Sequence, residues 1–377
     1  MIRRYKINYD FIGGSSFYLP CEITHFTSHK YYKDQDTDAT SREIKQIISS
    51  SNESVFSGLG YYQDPYVQIY NGINYKNFYN IGIIFISNIR DSKFTDEYQT
   101  FRPSNQQQIE QSKGGNFISA PNNVIFCVSG ANDELLYNIR SQTQKQIIEL
   151  ECSFKAGISE EFPNGCFRHI DELMCFMPYG VGEYKVWFYD ELDENSFQQH
   201  FDNQIKLTKE YKEAEIEKDR LKKNQERFFD EYRHALNKFN NYIKDNRNEY
   251  IKNIIPILNC ERRQNLEKIS KALFNKPFCE CTDKFVFFKY YSYKPSIFNR
   301  VWYETNDKCI CLFPEINDSN IKTNVINEMN KVFSYIRPGI RPNFHFINVK
   351  PSNEKEPEGT IHCLIKQRFI KPIISLD

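Results

Sequence analysis

The sequence predicts an α/β protein. Short runs rich in β-branched and aromatic residues, such as residues 124–128 and 309–313, alternate with segments of helical periodicity, such as residues 132–140 and 323–336. An Asn-Gly turn at residues 71–72 lies between two apolar runs and predicts a hairpin. This alternation favours an α/β chain over a helical bundle or a β-sandwich.

A long charged helix is predicted near the middle of the chain. Residues 204–244 contain neither Gly nor Pro, and apolar side chains recur between Lys and Glu at roughly helical spacing. These apolar side chains would form a stripe along one face of the helix. Such a stripe is consistent with packing on the same domain and with pairing to a partner helix. A second helix is predicted from residue 260 or 261 to residue 274. We therefore interpret residues 1–377 as one domain, with a variable segment at about 1–55 and a helical insertion at about 204–275.

Composition excludes several classes of function. The chain has 49 basic and 49 acidic residues, so its formal net charge of zero does not predict binding to nucleic acid or to an anionic membrane. Its 11 cysteines include no C-x-x-C pair, which predicts reduced thiols and a cytoplasmic protein. The sequence has no Sec-type signal and no apolar span long enough for a membrane helix, although secretion without a signal stays open.

The first candidate site is the H-x-D pair of His169 and Asp171. In an extended strand, residues two apart lie on the same face, which would place an imidazole beside a carboxylate. Such a pair transfers protons near neutral pH and binds a cation, whereas the alternative is a structural pair in a partly buried position. A second stretch, residues 359–365 (GTIHCLI), supplies the thiol of Cys363.

Four short motifs occur in a characteristic order: YYQD at residues 61–64, HIDEL at 169–173, FHFIN at 344–348 and GTIHC at 359–363. Together they resemble the guanidine-modifying superfamily, and the closest similarity is to the catalytic domain of the protein-arginine (peptidylarginine) deiminases. The Ile-His-Cys form of the last motif is equally similar to agmatine deiminases. The resemblance implies an α/β propeller built from repeated ββαβ units and a single catalytic domain.

The resemblance also implies roles for four residues. Asp64 and Asp171 would accept hydrogen bonds from the guanidinium N–H groups and hold its plane. Cys363 would attack the guanidinium carbon as a thiolate, and His169 would protonate the departing ammonia and then activate water. The expected product is a ureido group, which is citrulline when the substrate is arginine.

Three further residues are candidates for substrate binding. Arg90 lies where the similar family holds the backbone of a peptide, although a solvated surface charge is an equal alternative. Gln63 either lines the site or caps a turn. Arg168 replaces the glycine that the family has before its histidine, so it either modifies proton transfer or faces solvent.

No cofactor or metal is predicted. The acidic residue that the calcium-dependent animal enzymes carry shortly after the first aspartate is absent, since Pro65, Tyr66 and Val67 follow Asp64 here. The resemblance implies that the substrate is an arginine-containing protein or peptide, with a small guanidino compound such as agmatine or free arginine as the alternative. A catalytically silent propeller that binds a partner through its long helix is the alternative from another class of function.

Overall fold

The structure is a computed structural model, and it describes residues 21–26, 66–68, 78–80, 99–100, 114–131, 133–151, 170–180, 183–194, 209–224, 227–289, 297–298, 300–304, 309–316, 318–336, 341–347 and 365–369. Strands and helices alternate along these residues, so the predicted α/β class is confirmed. The predicted variable segment at about 1–55 lies outside them, apart from residues 21–26.

The first complete unit has ββαβ topology. Strand β5 (Phe117–Ala120) pairs antiparallel with β6 (Val124–Val128), and helix α1 (Asp133–Thr143) leads to β7 (Gln146–Leu150), which pairs parallel with β6. Asn122 and Asn123 lie in the turn between β5 and β6 with positive φ angles of 61° and 60°. Asparagine tolerates this left-handed region better than most residues, so the turn fits its sequence.

The second unit repeats this topology with two helices in place of one. Strand β8 (Met174–Gly180) pairs antiparallel with β9 (Glu183–Tyr189). Helices α2 (Lys209–Lys222) and α3 (Phe229–Phe274) follow, and β10 (Phe285–Phe288) returns parallel to β9. The long helical region therefore occupies the crossover between two parallel strands of one sheet.

The third unit repeats it again: β11 (Val301–Glu304), β12 (Cys309–Pro314), helix α4 (Ser319–Ile336) and β13 (Asn343–Ile347). Strand β11 is antiparallel to β12, and β13 is parallel to it. Asp318 caps α4, because its Oδ1 accepts the N–H groups of Asn320 and Ile321 at 2.8 and 3.0 Å. Residues three and four apart on α4 are buried, as a helix lying on a sheet requires: Ile321, Val325, Met329, Val332 and Phe333.

The described residues also form two smaller sheets. Strand β2 (Tyr66–Gln68) pairs antiparallel with β3 (Phe78–Asn80), which confirms the predicted pairing across the Asn-Gly region. Strand β4 (Gln99–Thr100) is parallel to β3, so the pairing order is that of the three larger units. Strand β1 (Cys21–Phe26) pairs antiparallel with β14 (Ile365–Phe369), so an early and a late segment of the sequence form one sheet.

Strand β6 is buried on both faces. Phe126 belongs to the main core and stacks on Phe176 of β8, with ring centroids 6.0 Å apart. Its neighbours Ile125 and Cys127 point the other way and pack with Leu135 of α1 in a separate cluster. A strand covered on both faces is expected to be apolar throughout, which explains the uninterrupted Val-Ile-Phe-Cys-Val sequence.

The predicted single helix over residues 204–244 is wrong. Helix α2 ends at Lys222, and a turn follows in which the Asn224 N–H binds the Leu221 carbonyl at 3.1 Å. Asparagine has a low helix propensity, and it interrupts the helix without a Gly or Pro. The helix predicted from residue 260 or 261 to 274 is the last part of α3, which continues through Pro256.

The apolar side chains predicted at helical spacing over residues 204–244 lie on two helices, each of which has its own buried face. Tyr211 of α2 packs on Phe239 of α3, with ring centroids 5.0 Å apart. Ile216 of α2 is 68% exposed, so it lies outside the buried face of its helix. Helix α3 has 46 residues, which at 1.5 Å per residue extends about 69 Å. Its first half packs with α2, and its second half reaches the sheets.

Candidate functional site

Asp171 is the one predicted catalytic residue within the described part of the chain. It lies in a 3₁₀ turn, Ile170–Glu172, and the Leu173 N–H closes this turn on the Ile170 carbonyl at 3.0 Å. The extended strand predicted around the H-x-D pair is therefore wrong at these residues, and strand β8 begins only at Met174. Asp and Glu are poor strand formers, so a turn at this point agrees with their propensities.

The Asp171 turn lies against strands β5, β6 and β8 and against a second 3₁₀ turn, Gly114–Asn116. Because β5 begins opposite the last residues of β6, with Phe117 paired to Cys127, the Gly114–Asn116 turn is near the carboxyl end of β6. We call the region where β6 and β7 end the carboxyl edge. Ligand sites of open α/β sheets are typically found at such edges.

Both turns bring a buried polar side chain to the carboxyl edge. Asp171 is 2% exposed and Asn116 is 3% exposed. Burial of a carboxylate is costly unless cations or hydrogen-bond donors compensate its charge. A carboxylate and an amide at one edge therefore form a suitable environment for a cationic, hydrogen-bonding group such as a guanidinium.

The other predicted site residues lie outside the described residues: Gln63, Asp64, Arg90, Arg168, His169 and Cys363. Three of them are close in sequence to described elements. Asp64 precedes β2 by two positions, His169 directly precedes the Asp171 turn, and Cys363 precedes β14 by two positions. Their mutual arrangement stays a prediction.

A second group of charged side chains lies at the carboxyl edge, where α3 meets the end of β7. Lys268 of α3 donates Nζ–H to the Glu149 carbonyl at 2.9 Å and forms an ion pair with the Glu151 carboxylate at 3.3 Å. Glu261, also on α3, is half-buried, and burial together with the Glu151 carboxylate raises its pKa to about 7. No local sequence pattern reveals this group, because its members come from distant segments.

This pKa gives a pH-dependent prediction for stability. An ordinary Glu has a pKa of 4.5, so between pH 4.5 and about 7 the unfolded chain loses a proton that folded Glu261 retains. Stability should therefore fall as pH rises through this window. Glu261→Gln should remove the loss and increase the free energy of unfolding at pH 8 by roughly 1 kcal/mol, allowing for solvent screening of a half-buried group.

Urea unfolding of the wild type and of Glu261→Gln between pH 4 and pH 8 measures this effect. The two stabilities should converge near pH 4 and separate as pH rises. Glu249→Gln, an exposed position on the same helix, is the matched control and should follow the wild type. Parallel curves for Glu261→Gln and the wild type at every pH would contradict the assignment.

A buried guanidinium, that of Arg300, contacts strand β8. Arg300 donates Nη1–H to the Cys175 Sγ at 2.9 Å and to the Phe298 carbonyl at 3.1 Å, and its guanidinium lies 5.3 Å from the Trp187 ring. Burial raises the pKa of the Cys175 thiol, and Arg300 only partly offsets this rise. A buried, protonated thiol is a poor nucleophile, so Cys175 fits a structural role.

Within the described residues, no group of three or more His, Cys, Asp or Glu side chains has an arrangement able to bind a metal ion. Among the helices they form, none combines the length and the apolar character needed to cross a membrane.

Comparison with known proteins gave few similarities. No protein-family model matches the chain, and no curated protein sequence matches it. Among solved structures, the chain is similar to C. jejuni agmatine deiminase, with 12% sequence identity and a TM-score of 0.49 over 96% of this chain and 97% of that chain. An identity and a TM-score this low do not establish a shared fold or activity.

Proposed function

We propose that the chain is a cysteine-dependent hydrolase of the guanidino group. The observation that carries this proposal is the buried Asp171 carboxylate at the carboxyl edge of a ββαβ unit. The order of the four sequence motifs supports it, because the same order accompanies ββαβ repeats in the superfamily that the chain resembles. A buried carboxylate provides the anionic partner that a planar guanidinium requires.

The proposed reaction proceeds through a covalent intermediate. The Cys363 thiolate attacks the guanidinium carbon and forms a C–S bond, while Asp64 and Asp171 hold the N–H groups. His169 donates a proton to the departing nitrogen, and ammonia leaves a thiouronium. His169 then removes a proton from water, which adds to the carbon. The hydroxyl of this adduct loses its proton to solvent as the C–S bond breaks, which forms the carbonyl of the ureido product and regenerates the thiolate.

We also propose that the sheets surround a common axis as an α/β propeller. Three units share ββαβ topology, and β2, β3 and β4 share its strand pairing. Pairing of β1 with β14 supports closure, because a ring of units requires its first and last parts to meet. In such a ring, the Asp171 turn would face the axis together with the segments that carry Asp64 and Cys363.

Small guanidino compounds are the substrates that we favour, with peptidyl-arginine as the second class. The Ile-His-Cys form at residues 361–363 supports the first class, whereas the second depends on Arg90 as a peptide-binding residue. Agmatine, free arginine and an arginine-containing peptide should each be incubated with the protein, and ureido product and ammonia should be measured. Equal molar amounts of both products identify deimination. No ureido product from any guanidino compound tested would contradict the proposal.

We further propose that turnover does not require calcium. Residues 65–67 offer no carboxylate after Asp64, and calcium sites usually need several converging oxygen ligands. Activity in excess EGTA should therefore equal activity in millimolar calcium within about twofold. A large stimulation by calcium would contradict this prediction, and magnesium at the same concentration controls for a general effect of divalent cations.

A silent binding protein is the competing proposal, and the exposed apolar side chains of the helical region favour it. Ile216 of α2 is 68% exposed and Phe229 of α3 is 55% exposed. Labelling with a haloacetamidine, a cationic guanidine mimic that alkylates thiols, separates the two proposals. Cys260 and Cys279 are exposed, so the experiment should use a Cys260→Ser, Cys279→Ser background. Saturable labelling of Cys363 supports the hydrolase, and its absence supports the silent protein.

A further inference from the structure

Helix α3 carries a side chain that pairs with the backbone at the end of strand β7. The Asn265 amide accepts the Glu151 N–H at 2.8 Å and donates to the Glu151 carbonyl at 2.7 Å. Asn265 is completely buried, and both of these bonds are made to one residue. A buried amide satisfied on both sides fixes its partner residue tightly, because breaking either bond leaves a buried polar group without compensation.

A second asparagine on α3 makes the same type of contact with a different unit. Asn259 accepts the Leu192 N–H at 2.9 Å and donates to the Leu192 carbonyl at 2.8 Å. Arg262, between the two asparagines, donates Nε–H to the Tyr189 carbonyl at 2.9 Å. One helix therefore holds the backbone that follows β7 and the backbone that follows β9.

The two contacts differ in their relation to the candidate site. Glu151 directly follows Leu150, whose carbonyl accepts the Ser129 N–H at 2.8 Å, so the ends of β6 and β7 are joined at the carboxyl edge. The Asp171 turn packs against β6 at this edge. A chain of contacts thus leads from Asn265 through Glu151 and the end of β6 to Asp171. Leu192 follows β9, whereas the Asp171 turn precedes β8 and packs on the first unit.

Residue order strengthens this relation. Glu151 is the last described residue that follows β7, and Ile170, the next described residue in the sequence, begins the Asp171 turn that packs on this unit. Lys268 supports the same point, since its Nζ binds the Glu149 carbonyl and the Glu151 carboxylate. Asn122, in the turn between β5 and β6, donates Nδ2–H to the Leu273 carbonyl of α3 at 2.7 Å. Helix α3 therefore contacts both ends of the β6 strand region.

We propose that Asn265 is a positioning residue for the candidate site. Its side chain holds the carboxyl edge, so that Asp171 keeps the orientation needed to bind a guanidinium. This inference rests on the proposed function. Asn265 does not touch the substrate; it acts through Glu151 and the end of β6. Small displacements of a group that orients a substrate reduce turnover strongly, because the reacting atoms must be aligned before the bond forms.

The test compares Asn265→Ala with Asn259→Ala, which removes a contact of the same geometry at the end of β9. Both variants lose two buried hydrogen bonds, so similar decreases in melting temperature are expected. At a temperature well below both melting points, Asn265→Ala should reduce kcat/KM for the guanidino substrate by about tenfold or more. Asn259→Ala should stay within about twofold of the wild type.

A further variant keeps the test informative if Asn265→Ala does not fold. Lys268→Met preserves the aliphatic stem of the side chain and removes both Nζ contacts; a smaller decrease in the same direction is expected. Equal effects of the Asn265 and Asn259 substitutions on kcat/KM would overturn the proposal, since they would show a purely structural role.

Amide hydrogen exchange distinguishes failure of this inference from failure of the proposed function. The Leu173 N–H, which closes the Asp171 turn on Ile170, is the reporter. Exchange at Leu173 should be faster in Asn265→Ala than in Asn259→Ala, whether or not the protein turns over any guanidino compound. If wild-type activity is absent, the proposed function is wrong, and the exchange rates alone decide the inference. Equal exchange rates would overturn it.

Discussion

Replacing Cys363 with alanine is expected to abolish turnover, with a loss of at least about a thousandfold in kcat. The thiolate forms the bond to the guanidinium carbon in the proposed reaction, and alanine offers no nucleophile in its place. Binding of the guanidino compound should persist, because the carboxylates that hold its charge are unchanged. Steady-state kinetics measures the first effect, and calorimetric titration measures the second.

Cys260→Ala and Cys279→Ala are the matched controls for this substitution. Both cysteines are exposed and distant in sequence from Cys363, so each variant should retain the activity of the wild type. Retention of more than about one tenth of wild-type kcat by Cys363→Ala would eliminate the covalent mechanism. Loss of activity in either control would instead indicate that replacing a cysteine can disturb the fold, whatever its position.

Replacing Asp171 with asparagine is expected to reduce kcat/KM by about two to three orders of magnitude. Asparagine has nearly the same shape, so the turn from Ile170 to Glu172 should form normally, but the amide lacks the charge that attracts and orients a guanidinium. Both kcat and KM should change, because Asp171 would contact the substrate in the ground state and in the transition state.

Glu149→Gln provides the matched loss of one negative charge at the same edge. Glu149 is exposed, and its Oε2 accepts the Gly130 N–H at 2.8 Å. The amide oxygen of a glutamine can accept the same hydrogen bond. The activity of Glu149→Gln should remain within about twofold of the wild type. If Asp171→Asn and Glu149→Gln lowered kcat/KM equally, the charge of the edge as a whole, rather than the position of Asp171, would be responsible.

Local patterns in the sequence predicted the regular elements well. The apolar run at residues 124–128 is strand β6, and the periodic segment at 323–336 lies within α4, which begins at Ser319. Each pattern depends on side chains that are neighbours along one element, so periodicity is sufficient to detect it. The periodicity predicts a start at residue 323, whereas the Asp318 cap starts α4 at Ser319.

Features that depend on distant segments were not predictable in the same way. The H-x-D pair satisfied the spacing of a strand, but the turn from Ile170 to Glu172 is fixed by packing on β5 and on the Gly114–Asn116 turn. Asn265 offered one weak signal, since asparagine is unfavourable inside a helix and its presence there indicates a specific partner. The identity of that partner, Glu151, requires the tertiary structure.

The pairing of β1 with β14 has a consequence for synthesis on the ribosome. Cys21 pairs with Phe369 and Phe26 with Ile365, so residues 27–364 lie between the two paired strands. Closing so long a loop costs conformational entropy before any contact compensates for it, and folding that depends on such contacts is slow. The three ββαβ units can form as they emerge, whereas β1 waits for its partner until residues 365–369 have been made. The nascent chain therefore carries an open strand edge while residues 27–364 are synthesised, which makes it a candidate for chaperone binding during that period.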